Sequence, residues 1–113
     1  MGKQKNTDWE KYQKRLKKEK RFLLNKVKKW CKRFKGIHIK YAYEESTNYH
    51  IVEITPASIF DDESFRKEVL HTWTKFSHNF QMSDLLISEP DESYNMTNCF
   101  FDNERLKKDK ACD

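Results

Sequence analysis

The chain has 113 residues, of which 36% are charged and 36% are hydrophobic, and its formal net charge is +5. This is the length of a single domain with one core. It contains two glycines and two prolines, too few for Gly-rich linkers, and no stretch approaches the ~20 apolar residues of a membrane span. Because the three cysteines are far apart and no secretory signal is visible, we expect a soluble cytoplasmic protein.

The first third of the chain is strongly basic. Residues 1–35 contain 15 basic and 3 acidic residues, a net charge of +12, whereas residues 36–113 carry −7. Between Asp8 and Lys35, apolar residues recur at helical spacing within an arc of about 100°. They are Trp9, Tyr12, Leu16, Leu23, Val27, Trp30, Cys31 and Phe34. The pattern predicts a helix over 8–35 that ends at Gly36, with Phe22 pointing away from the stripe and residues 1–7 frayed.

A β-hairpin is predicted next. Residues 37–43 alternate between apolar and polar, and a polar turn over 45–48 separates them from a second strand, Tyr49 to Thr55. A turn of this length sets Ile39 opposite Ile54, with Tyr41 opposite Val52 and Tyr43 opposite His50. One face then belongs to the core: Ile37, Ile39, Tyr41, Val52 and Ile54. The other face carries His38, Lys40, Tyr49, Ile51 and Glu53, and we expect it to be partly open.

A second helix is predicted to begin at the acidic residues Asp61–Glu63. An arc of about 80° holds an aromatic-rich stripe that predicts a core face: Phe65, Val69, Trp73, Phe76 and Phe80. A short apolar strand, 85–88, follows it. A strand, a helix and a strand in this order predict a right-handed crossover and a parallel pair if the strands are neighbours. Residues 96–101 form either a fourth strand or a plug of the core.

These elements predict an α+β fold in the order α-β-β-α-β. A small, mostly antiparallel sheet would carry both helices on one face. We expect a single domain over 8–101, which includes the basic helix 8–35, and a mobile charged tail over 102–113.

The basic helix is the principal candidate for function. Its outer side is expected to contact nucleic-acid phosphates or an acidic protein through Lys14, Lys18, Arg21, Lys28, Lys29 and Lys32. Lysine and arginine side chains neutralise phosphates with release of counterions. A solvated outer face of a core helix would have a similar composition, so the pattern alone leaves both interpretations open.

Other candidate chemistry is weaker. Asp91 and Glu92 follow a strand end, but no base or nucleophile is paired with them. The histidines and cysteines do not have zinc-ligand spacing: His71 and His78 are predicted at the surface, His38 facing outward and His50 at the turn end of the hairpin. We therefore expect no catalytic residue, metal or other cofactor.

The leading hypothesis is a small, non-catalytic intracellular binding protein that contacts nucleic-acid phosphates through its basic N-terminal helix. The alternative is a protein–protein interaction module, such as an inhibitor, an immunity-type protein or an adaptor, that uses this helix or the open sheet face. A membrane partner is not expected, and the sequence leaves the oligomeric state open.

Overall fold

The computed structural model describes residues 2–91, 96 and 99–103, with only the backbone described for 2–7. Two helices lie on one face of a four-stranded sheet, which confirms the predicted α+β fold and its α-β-β-α-β order. The elements are α1 (Gly2–Arg33), β1 (His38–Glu44), β2 (Tyr49–Thr55), a 3₁₀ helix (Ala57–Asp61), α2 (Glu63–Asn79), β3 (Asp84–Ser88) and β4 (Phe101–Asp102).

The hairpin of β1 and β2 has the predicted register. Ile39 lies opposite Ile54, Tyr41 opposite Val52 and Tyr43 opposite His50. The turn closes with Asn48 at φ 59°, a left-handed conformation that asparagine tolerates better than most residues. All five residues predicted for the core face are buried, so the alternation of side chains identified this face correctly.

The strand order is β3-β2-β1-β4. The β2–α2–β3 crossover gives the predicted parallel pair. The fourth strand forms at Phe101–Asp102 and pairs antiparallel with β1, and Phe101 is buried in the core. Asp102 therefore belongs to the sheet and Asn103 is buried, while the rest of the predicted tail, 104–113, lies outside the described residues.

Helix α1 begins at Gly2 and ends at Arg33, followed by Gly36 at φ 85°. Its buried line is Leu16, Leu23, Val27 and Trp30. The prediction for Phe22 was wrong: its ring packs against those of Phe76 and Phe80, with centroids 6.2 and 5.7 Å away. Phe22 turns inward because α2 lies beside α1 and widens the surface that α1 must cover.

Helix α2 begins where predicted, since the Asp62 carboxylate accepts a hydrogen bond from the Phe65 backbone N–H at 2.9 Å. Its predicted stripe was wrong at Trp73, whose side chain is 49% exposed. Thr72 is fully buried instead. The helix is thus rotated about its own axis by a few tens of degrees from the predicted orientation, because Phe65 and Phe76 are its most deeply buried aromatic residues.

The second face of the sheet is more covered than expected. Ile51, predicted to lie on an open face, is 1% exposed, whereas Tyr49 is exposed. The segment after β3 returns over this face: the Asp91 backbone N–H donates to the Glu53 carboxylate at 3.3 Å. Pro90 lines a small cavity of about 100 Å³ together with His38, Lys40, Glu53 and Thr55.

Candidate binding face of the N-terminal helix

The six cationic residues singled out in the sequence lie on one side of α1. We call this set the basic face: Lys14, Lys18, Arg21, Lys28, Lys29 and Lys32. All six are exposed. At 100° per residue they occupy an arc of about 100° that lies opposite the buried line of the helix. Between Lys14 and Lys32 the face is about 27 Å long, because an α-helix rises by 1.5 Å per residue.

Between Lys14 and Lys32, α1 has no exposed acidic side chain. Between Lys11 and Arg33 the helix contains a single acidic residue, Glu19, and its side chain is fully buried. Among the ion pairs between described residues, none includes a member of the basic face; α1 contributes only Arg15 and Arg33 as cations. The basic face is therefore a row of positive charges without an ion-pair partner among the described residues.

Glu19 is the centre of a buried hydrogen-bond network that fastens α1 to the sheet. Its carboxylate accepts from Ser83 Oγ at 2.8 and 3.0 Å and lies 2.8 Å from His50 Nε2. Arg15 Nε is 3.3 Å from the second carboxylate oxygen. On the far side of the imidazole, Tyr41 Oη lies 2.6 Å from Nδ1. The network thus joins the helix, both strands of the hairpin and the start of β3.

The chemistry of the partners assigns the protons in this network. A carboxylate only accepts hydrogen bonds, so the Nε2–H of His50 donates to Glu19. In the neutral form of the imidazole, Nδ1 is then an acceptor, and the Tyr41 hydroxyl donates to it. Burial, reinforced by the negative charge of Glu19, raises the pKa of Tyr41 well above its usual range and keeps this hydroxyl protonated.

A pair of tyrosines, Tyr12 and Tyr43, lies beside this network, with the Tyr43 ring centroid 4.7 Å from that of His50. The hydroxyls of Tyr12 and Tyr43 are 3.3 Å apart, and Tyr43 also donates to the Asn48 side chain at 2.5 Å. Burial, then the hydrogen bond to Tyr12, raises the pKa of Tyr43. Lys20, which interrupts the apolar stripe in the sequence, places its ammonium 4.2 Å from the centre of the Phe100 ring.

Glu19, His50 and Tyr41 are fully buried, so the network holds the helix in place rather than presenting groups to a ligand. The predicted position of His50 at the turn end of the hairpin, opposite Tyr43, is confirmed, but its side chain points into the core. The alternation of side chains along β2 indicates this inward direction, because His50 shares its face with Val52 and Ile54. At 100° per residue, Glu19 lies about 20° beyond the apolar arc. Its burial could therefore also have been predicted from the sequence.

The remaining candidates do not converge. His71 and His78 are exposed, as is Asp91, and Glu92 lies outside the described residues. His38 is partly buried, with Nε2 2.7 Å from an Asp102 carboxylate oxygen. In the described part of the chain, no three His, Cys, Asp or Glu residues lie close enough to hold a metal ion.

Within the described ranges, no helix combines the length and apolar character needed to cross a bilayer. A scan against protein-family models, a search of curated proteins and a search of solved structures each found no match.

Proposed function

We propose that the chain is a small, non-catalytic binding protein whose basic face contacts the phosphates of a nucleic acid. One observation carries this proposal. Six exposed cations form a row of one sign along a helix that is fixed to the core on its opposite side. Contacts of this kind go to the sugar–phosphate backbone, so binding would be largely independent of base sequence.

The row is unlike a face that serves only for solubility. Lys14 and Lys18 are one turn apart, as are Lys28 and Lys32, and each like-charged pair at this spacing destabilises a helix by about 0.2–0.5 kcal/mol. Solvated helices usually relieve this repulsion by mixing acidic and basic residues. Here Glu19, the one acid of the helix between Lys14 and Lys32, is buried in the network that joins α1 to the sheet. A polyanion would relieve the repulsion that the fold leaves in place.

The dimensions also suit a duplex. Double-stranded DNA carries one negative charge per ~1.7 Å of its axis, and its base pairs are stacked ~3.4 Å apart. A row about 27 Å long therefore spans roughly eight base pairs. The lysines act as point charges on flexible stems, whereas Arg21 can bind a phosphate through two N–H groups at once.

Salt-titrated binding tests the proposal. We would measure fluorescence anisotropy with labelled DNA and RNA duplexes of random sequence, for the native chain and for the triple variant Lys18→Gln, Lys28→Gln, Lys32→Gln. On B-form DNA each lost phosphate contact lowers the slope of log K against log[salt] by ~0.9, so the triple variant should lose about 2–3 units. The matched control replaces three cations that lie outside the basic face by the same residue: Lys35→Gln, Lys40→Gln, Lys75→Gln.

Three results would contradict the proposal. They are no binding at low salt, binding without salt dependence, and equal losses in the two triple variants. Polyglutamate serves as a competitor that has negative charge but no phosphate. If it binds more tightly than either duplex, the partner is an acidic protein surface, as in the alternative hypothesis.

A further inference from the structure

A groove between α2 and β3, which we call the α2–β3 groove, has no part in the proposed function. It has a volume of about 920 Å³. Leu70 and Trp73 form its helical wall and are 65% and 49% exposed, and Leu85, Leu86 and Ile87 form its strand wall. The groove lies on the side of α2 that the rotation turns away from the core, and this rotation leaves Trp73 exposed there.

The strand wall is also an outer edge of the four-stranded sheet. The Asp84 backbone N–H donates to the Asn48 carbonyl, on the β2 side, at 3.0 Å. In a parallel pair the residues of a strand bond alternately to one side and the other. The N–H and C=O groups of Leu85 and Ile87 therefore point away from β2. Among the described residues, nothing pairs with this edge.

The opposite edge of the sheet is treated differently. Beyond the short pairing with β4, the Asn103 side chain occupies the backbone groups at the start of β1. Its carbonyl accepts from the Ile39 N–H at 2.7 Å, and its amide donates to the Ile37 carbonyl at 2.8 Å. Native proteins usually cover or charge exposed edges. One edge is thus covered by a buried asparagine, whereas no described residue covers the other edge, which lies beside exposed apolar side chains.

We propose that a second copy of this chain occupies the α2–β3 groove. The two β3 strands would pair antiparallel about a two-fold axis at Leu86 and join the four-stranded sheets into one. In this register Leu85 exchanges both backbone hydrogen bonds with the partner's Ile87, and Ile87 with the partner's Leu85. The two residues whose polar groups face outward are thus both satisfied.

Side chains and charges agree with this occupant. Leu85 lies beside the partner's Ile87 and Asp84 beside the partner's Ser88, so no like charges face each other. If the register were shifted by two residues toward the C-terminus, Leu85 would lie beside the partner's Glu89, and the pairing of Leu85 with the partner's Ile87 would be lost. The charged residues lining the groove comprise two acids and two bases, Asp61, Glu63, Arg66 and Lys67. The groove is therefore close to neutral, which suits a like copy better than a strongly charged partner.

The same axis brings the helices together. Leu85 and Ile87 point their side chains toward α2, on the face of the sheet that the helices cover. A two-fold axis perpendicular to the sheet places both copies of α2 on that face, side by side and antiparallel. Leu70 and Trp73 then pack against their own counterparts. The proposal is independent of nucleic-acid binding, because α2 and β3 contribute nothing to the basic face.

Sedimentation equilibrium over a wide concentration range tests the dimer. We expect the native chain to associate reversibly to twice its monomer mass. Leu70→Glu and Trp73→Gln should each raise the dissociation constant at least about tenfold, because both alter side chains central to the interface. Trp9→Gln is the matched control, since Trp9 is 59% exposed but lies on α1 outside the groove. It should leave the dissociation constant unchanged.

Amide hydrogen exchange locates the contact. The amides of Leu85 and Ile87 should become protected as the concentration rises, whereas the Leu86 amide, which faces β2, should be equally protected at all concentrations. A chain that is monomeric throughout the range would overturn the proposal. So would equal weakening by Trp9→Gln and Trp73→Gln, or a dimer in which the amides of Leu85 and Ile87 exchange as in the monomer.

Discussion

Single residues decide how the basic face is held. Glu19 is the only acid between Lys11 and Arg33, and burying it has two effects. It gives α1 a polar attachment to His50 and Ser83, and it leaves no exposed carboxylate on the helix between Lys14 and Lys32. A buried charge is tolerated only where it is paired and hydrogen-bonded, and Glu19 has Arg15, His50 and Ser83 around it.

Replacing Glu19 with glutamine should destabilise the protein by about 2–4 kcal/mol, because an amide nitrogen would face N–H and O–H donors in a buried site. Urea unfolding followed by circular dichroism measures this loss. Glu10→Gln, at an exposed position on the same helix, is the control and should change stability by less than about 0.5 kcal/mol. Similar unfolding midpoints for the two variants would show that the network contributes no stability.

The raised pKa of Tyr41 predicts a loss of stability in alkali. In the unfolded chain this tyrosine ionises near the ordinary tyrosine pKa of 10.0, whereas in the folded chain burial keeps it protonated. The unfolded state therefore releases a proton above pH 10 that the folded state retains. Stability should fall by about 1.4 kcal/mol per pH unit from this residue alone.

Tyr41→Phe separates this contribution from the rest. At pH 7 the variant should be less stable by about 1–3 kcal/mol, since Nδ1 of His50 loses its donor. Above pH 10 its stability should fall less steeply than that of the native chain. Urea unfolding at a series of pH values measures both effects, and parallel curves for the two proteins would contradict the assignment.

At the scale of elements, α2 shows where an amphipathic pattern is insufficient. The stripe from Phe65 to Phe80 identifies the helix and its inner side, but a stripe this wide permits several rotations about the helix axis. Packing against α1 and the sheet determines the rotation of α2, which buries Thr72 and exposes Trp73. Within the described residues, the Thr72 hydroxyl has no hydrogen-bond partner in its buried position.

Thr72→Val should therefore stabilise the protein by about 1 kcal/mol, because valine has the same shape without a buried hydroxyl that lacks a partner. Thermal unfolding measures the change. Thr74→Val is the matched control: the Thr74 hydroxyl is exposed and bonds the Leu70 carbonyl at 2.8 Å, so its loss should not raise stability. A Thr72→Val protein less stable than the native chain would indicate an additional partner for this hydroxyl.

The hairpin was predictable for a physical reason that α2 lacks. Side chains on a strand have only two directions, so a four-residue turn and the alternation of Ile37–Tyr43 leave one register that joins apolar faces. The same alternation places the His50 side chain on the core face of the sheet. The burial of Ile51 was not predictable, because the alternation of the hairpin does not show which segments cover the second face of the sheet. The basic face could be named residue by residue, but the hydrogen-bond network around Glu19 that holds the helix could not, because it brings together residues far apart in the chain.

At the scale of the whole molecule, charge and apolar surface are separated. The basic face lies on the outer side of α1, whereas the α2–β3 groove lies at the sheet edge beyond the other helix. If both proposals hold, a dimer would carry two basic faces on opposite flanks. Two linked contacts would then bind one long polyanion more tightly than either alone, provided that the duplex can reach both faces.

The attachment of α1 through Glu19 has a consequence for the thermodynamics of binding. A basic segment that is disordered when free must lose conformational entropy when it binds, and that loss typically removes about 2–5 kcal/mol from the interaction. Here the backbone of the basic face is already ordered, because the opposite side of the helix is packed in the core. Only the outer ends of the lysine and arginine side chains remain to be ordered by a ligand, so most of the electrostatic attraction is available as affinity.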